Sequence, residues 1–133
     1  MSAKVLDSYA LVAYFRGEPE GVPVKELLHK AAVADKPVHM TEVNYAEVKY
    51  IILRKDSDQA WAESARVLET LPIEFSPATR GLADAAADYK SRYSLSLADA
   101  FAAALAKEKK AELITGDPEF KPLEKEIRIN WLK

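Results

Sequence analysis

The chain contains no cysteine, which excludes a disulfide framework, a thiolate zinc site and a cysteine nucleophile. Glycine fills only 4 of 133 positions, and no glycine- or proline-rich linker divides the chain. G-x-x-x-x-G-K, G-x-S-x-G and H-E-x-x-H are all missing, so triphosphatase, serine hydrolase and zinc protease readings fall away. No apolar run approaches the ~20 residues that cross a bilayer, and MSAKVLDSYA lacks the layout of a secretory signal. A cytoplasmic protein without membrane association is the expectation. Charge of either sign is in short supply as a surplus: 19 Lys and Arg against 21 Asp and Glu leave −2. That excludes a broad basic surface for nucleic acid but not a local one.

What remains is a globular composition, 49% apolar and 30% charged, in a chain of a length suited to one domain over 1–133. Its pattern alternates. Short β-rich runs stand at 4–6, 37–40, 73–76, 111–115 and 126–130, with helical periodicity over 8–16, 23–33, 42–55, 57–71, 78–92 and 97–109. A further turn of helix is expected near 118–123. Strands alternating with helices imply a mostly parallel sheet of about five strands covered on both faces, an α/β fold. In such sheets ligands bind beyond the carboxyl ends of the strands.

Two of those ends carry aspartates: KVL runs into Asp7 and AELIT runs through Gly116 into Asp117. Both also suit helix N-caps, and Pro118 suits the first turn of a helix. Ser96 and Asp99 form an S-x-x-D capping pattern at the head of an alanine-rich helix. Glu47 shares a helix face with Val43, Tyr50 and Ile51, too far inside for a role at the helix start if that helix begins near Thr41. Capping and chemistry stay open for these acids taken one at a time. If Asp7, Glu47, Asp99 and Asp117 converge on one place, magnitudes decide against capping alone. Two carboxylates 4–5 Å apart repel by roughly 3–4 kcal/mol at an effective dielectric of 20. Only bound protons or a cation relieves that, and oxygen ligands without cysteine select Mg²⁺ or Mn²⁺.

VLDSYALVAYF, YAEVKY, YSLSLADAFAAALA and LITGDPEF stand in an order and at a spacing that resemble the PIN-domain ribonucleases, in particular the small toxins of VapBC-type toxin–antitoxin pairs. The resemblance covers nearly the whole chain. It implies a three-layer α/β/α PIN-like fold and metal-dependent hydrolysis of RNA. Asp7, Asp99 and Asp117 would hold Mg²⁺ or Mn²⁺, and Glu47 would orient or deprotonate the attacking water. Ser8 and Thr115 would steady these carboxylates by hydrogen bonds, and Glu119 would supply a further acid beside Asp117. A homodimer and an antitoxin covering the acidic cleft are further implications. A non-catalytic PIN-like module and a phosphoacceptor receiver domain are the competing readings. VLDSY offers one acid where a receiver needs a pair.

Arg16, Lys55, Arg92 and Lys121 fall near helix ends or motif loops and are candidate cations along an RNA path. His39 at a strand end and His29 on a helix surface read as packed or solvated residues. Asp84 and Asp88 read as a solvated face, and Trp61 with Ala65, Leu68 and Leu71 as a core stripe or a partner surface. Ile127, Ile129 and Trp131 read as the inward face of the last strand.

Overall fold

Residues on either side of the central strands explain the layers. In β1 (Lys4–Leu6) and β4 (Glu112–Thr115), Val5 pairs in register with Leu113 and Leu6 with Ile114. Successive side chains leave opposite faces of a strand. Val5 and Leu113 accordingly enter a core beneath α5 (Arg80–Arg92) and α6 (Leu97–Glu108), while Leu6 and Ile114 meet α2 (Gly21–Ala34). Both faces are dry, as an all-parallel sheet requires.

The computed structural model describes residues 3–133. With β2 (Val38–Thr41), β3 (Ile73–Ser76) and β5 (Arg128–Trp131), the sheet has five strands in the order β3-β2-β1-β4-β5, every pairing parallel. The expected three-layer architecture is present, and "mostly parallel" sharpens to wholly parallel. The chain builds outward from β1 in one direction through β2 and β3, then returns to the other side for β4 and β5. This reversal sets the switch point between β1 and β4, where the strand ends open a crevice.

A third core joins α1 (Ser8–Phe15), α3 (Glu42–Lys55) and α4 (Asp58–Leu68) over β2 and β3. Trp61 is buried there edge-on to Tyr45, so the Trp61 stripe belongs to the core. Helix α3 packs against both α1 and α6. It therefore crosses the crevice and brings its own side chains to the strand ends. α6 is buried almost throughout from Ala98 to Ala106, because alanine lets a helix lie close to a sheet and two neighbours at once.

Several boundaries moved from their sequence positions. α2 begins at Gly21 rather than at Pro23, since a Cβ at Gly21 would stand 2.4 Å from the Ala13 carbonyl oxygen. Only glycine allows that approach, and the contact starts the helix early. β5 begins at Arg128 rather than 126 because Glu126 ends the 3₁₀ helix Pro118–Lys125 that precedes it. That helix replaces the single turn expected near 118–123. In β5, Ile129 and Trp131 are half-buried and alternate with exposed Arg128 and Asn130. Asp84 and Asp88 are exposed, as is His29.

Candidate active site

Each acid reaches the crevice by a different local device. Asp7 follows β1 and caps α1: its Oδ1 accepts the Ala10 N–H at 2.9 Å. Its Oδ2 accepts the Thr115 hydroxyl, so β4 grips the side chain at the end of β1. The Thr115 oxygen in turn accepts the Asp117 N–H at 2.9 Å, and Asp117 Oδ1 accepts the Glu119 N–H at 2.9 Å. One relay of caps thus aims Asp7, Asp117 and Glu119. Asp99 comes from α6, whose first turn is closed by Ser96 Oγ accepting the Asp99 N–H at 3.1 Å. The Asp7 and Asp117 side chains are caps and Asp99 offers only its N–H to one, and these roles do not compete with a chemical one, because the caps fix where the carboxylates start.

Carboxylate oxygens of Asp99, Asp117 and Glu119 lie within 4.8 Å of one another. Asp7 sits beneath this cluster, fully buried, and Asp99 is 5% exposed. Burial pushes the Asp7 carboxyl up to about 7, opposed by its hydrogen bonds from Thr115 and Ala10 and reinforced by the charges of Asp117 and Glu47. Burial, together with the charges of Asp117 and Asp7 and hydrogen bonding to Glu119 and Asp117, pushes Asp99 up to about 9. Asp7 and Asp99 are therefore the two acids with little water to screen them from their charged neighbours.

Glu47 stands elsewhere on its helix than the sequence pattern indicates. The buried stripe of α3 is Asn44, Val48 and Ile52. Glu47 and Ile51 are half-buried beside that stripe and line the wall of a cleft of about 840 Å³ that also holds Asp99, Asp117 and Glu119. The half-buried Val43 and Ile51 mislead because they pack at the margins of α3 rather than at its centre. Ser8 differs from expectation: among the described residues it bonds no carboxylate. Its hydroxyl accepts from Asn44 Nδ2 at 3.0 Å and donates to the Asn44 carbonyl at 3.4 Å. Asn44 is the residue that sequence reading missed, and the available signal was a carboxamide on the same stripe as Val48 and Ile52.

Tyr9 and Gly116 close one side of the cleft. A Cβ on Gly116 would stand 2.4 Å from the tip of the exposed Tyr9 ring, so glycine lets that ring lie against the turn between Thr115 and Asp117. The Tyr9 hydroxyl donates to Glu20 at 3.5 Å. Of the candidate cations, Arg16 lines this cleft but is engaged by Asp56 and Glu18, each at 3.1 Å. Arg92 is held away from it by Glu126 at 2.9 Å and lies over the Tyr89 and Tyr93 rings. Lys55 lines the cleft and makes no ion pair among the described residues. His39 is remote: it lines a separate hollow of about 620 Å³ at the amino ends of the strands.

The donor set is wholly oxygen, clustered and partly dehydrated, which suits a hard divalent cation and no soft one. The family model of the PIN domain matches residues 4–126. The chain belongs to the PIN domain family. Solved structures agree on the fold of this PIN domain. The VapBC complex of Salmonella typhimurium bound to DNA superposes with a TM-score of 0.77 at 14% identity, over 98% of each chain. VapBC2 of Rickettsia felis bound to a promoter fragment gives 0.75 at 13% identity over 98% of this chain and 99% of that one. Mycobacterium tuberculosis VapC20, a toxin that cleaves the sarcin-ricin loop, gives 0.67 at 17% identity over 90% of this chain and 94% of that one. A search of curated protein sequences finds no match.

Proposed function

We infer that this PIN domain is a divalent-metal-dependent endoribonuclease, the toxin of a VapBC-type toxin–antitoxin pair, folded as one domain over 1–133. The observation that carries the reading is the packing of three carboxylates within 4.8 Å above a fourth that is fully buried. Ionised together, each pair would repel by roughly 3 kcal/mol, so the group stays charged at neutral pH only with a cation among them, and such crowding has no structural use in a domain of ordinary stability. The chemistry that bound Mg²⁺ or Mn²⁺ supplies is neutralisation of these carboxylates, activation of a water and stabilisation of charge on the phosphate.

Asp99, Asp117 and Glu119 would hold the cation from the cleft side. Asp7 would join them from below, since each of its oxygens spends one lone pair on Ala10 or Thr115 and keeps another. Thr115 orients Asp7 and Asp117 at once. Glu47, on the cleft wall, takes the proton of the attacking water. RNA as substrate and an antitoxin as partner are supported by the likeness to VapBC complexes and to a toxin that cleaves the sarcin-ricin loop. Homodimerisation and a cytoplasmic location belong to the same reading. The family match sets the receiver alternative aside.

Purified protein is expected to cleave RNA only with Mg²⁺ or Mn²⁺, and chelation is expected to stop it. Asp99→Asn and Asp7→Asn should each lower the rate at least about 100-fold while far-ultraviolet circular dichroism stays unchanged. Undiminished cleavage by both variants would overturn the reading.

A further inference from the structure

We propose that Asn44 is a positioning residue of the metal centre, a buried clamp that holds the tips of α1, α3 and α6 at the separation the cation requires. The inference rests on the metal-nuclease reading above. Asn44 is fully buried, and both hydrogens of its Nδ2 as well as its Oδ1 are engaged. Nδ2 donates to Ser8 Oγ at 3.0 Å and to the Ala98 carbonyl at 3.2 Å, while Oδ1 accepts the Thr41 hydroxyl. The Thr41 oxygen also accepts the Asn44 N–H at 2.9 Å, capping α3.

Each partner is next to an acid or carries one. Ser8 follows Asp7, Ala98 precedes Asp99, and Glu47 lies one helical turn beyond Asn44. One carboxamide therefore links the helices that bear three of the acids, and Thr115 links Asp7 to Asp117 on the strand side. Once deprotonated to receive a cation, these carboxylates push the tips apart. Hydrogen bonds between the tips are what resists, and ligands fixed by their surroundings bind metal more tightly than ligands that must first be gathered. A polar side chain on the stripe of Val48 and Ile52 is otherwise a poor choice, because leucine or valine there would extend the core.

The test is Mn²⁺ binding followed by calorimetry on the full chain. Asn44→Ala is expected to weaken Mn²⁺ binding about tenfold or more. Ile52→Val, on the same stripe two turns further along, lowers the melting temperature without touching the tips and should leave Mn²⁺ affinity within about twofold. Should Asn44→Ala fold poorly, Ser8→Ala removes one of the three links in a helix that tolerates alanine, and about a threefold loss is expected. Unchanged Mn²⁺ affinity in the folded variants, or equal loss in Ile52→Val, would overturn the proposal while leaving the nuclease reading intact. Absence of Mn²⁺ binding by the parent protein would overturn both.

Discussion

Asp7 and Asp99 occupy positions where a neutral side chain would be more stable, and that preference has a measurable sign. Their folded-state values of about 7 and about 9 stand above the ordinary 3.8. The folded protein thus holds these two protons more tightly than the unfolded chain does. The resulting stabilisation is complete below about pH 4 and is lost as pH rises through about 7 and then about 9. Melting temperature of the chelated protein should accordingly fall steadily from pH 5 to pH 9. Asp99→Asn should flatten the upper part of that fall, since the amide has no proton to lose. On the proposed metal-nuclease reading, saturating Mg²⁺ should flatten it as well, because a cation held by deprotonated carboxylates stabilises more as pH rises. A flat melting profile for the chelated parent would mean that water reaches these groups freely. In the sequence the acids were legible individually, at strand ends and helix heads, while their grouping followed only from the order and spacing of the four motifs and not from any local pattern. Glu119 is expected beside Asp117 from LITGDPEF, but its closeness to Asp99 as well depends on the 3₁₀ path after Asp117.

Helices and strands were readable where period and caps agree. α3 and α6 begin within a residue of their expected positions because Thr41 and Ser96 cap them, and the β1, β3 and β4 runs are short, apolar and bounded. The period was less informative about which face of α3 is innermost. Three helices share that crevice, so its flanks are half-buried, and Val43 and Ile51 sit on the flanks with Glu47. The start of α2 was hidden for a different reason: Gly21 matters through its contact with α1, which is not a local property. Two glycines separate these effects. At Gly21 an added Cβ meets backbone atoms of Ala13 and Tyr14 at 2.4–2.8 Å, and backbone cannot swing aside. Gly21→Ala should cost about 2–3 kcal/mol by forcing α1 and α2 apart. At Gly81, in the first turn of α5, nothing stands within 4 Å of the added carbon. Gly81→Ala should stabilise by about 0.5 kcal/mol, since it only removes unfolded-chain freedom. Urea denaturation of both variants measures the contrast, and equal effects at the two sites would show that the α1–α2 approach is loose.

Over the whole molecule, charge near −2 hides an uneven distribution that bears on how a polyanion could reach the cleft. Glu18, Glu20, Glu47, Asp99, Asp117 and Glu119 line it, against Arg16 and Lys55. Arg16 is already balanced by Asp56 and Glu18. Arg92 is committed to Glu126 outside the cleft, where it ties the end of α5 to the end of the 3₁₀ helix. Lys121 is exposed on that same helix. On the proposed nuclease reading, Lys55, at the carboxyl end of α3 and on the lining of the same cleft as Asp117, is the cation free to meet an RNA phosphate. Neutralising it in Lys55→Gln should raise KM for RNA about three- to tenfold with kcat within about twofold, because a phosphate contact binds ground state and transition state alike. The dependence of log(1/KM) on log salt should flatten by about 0.7, the amount that one lost contact to a single strand releases. Arg92→Gln supplies the comparison: it should lower the melting temperature slightly and leave both KM and the salt slope unchanged. If instead the two variants alter KM equally, RNA approaches along α5, and the polarity of the cleft assigned by Lys55 is reversed.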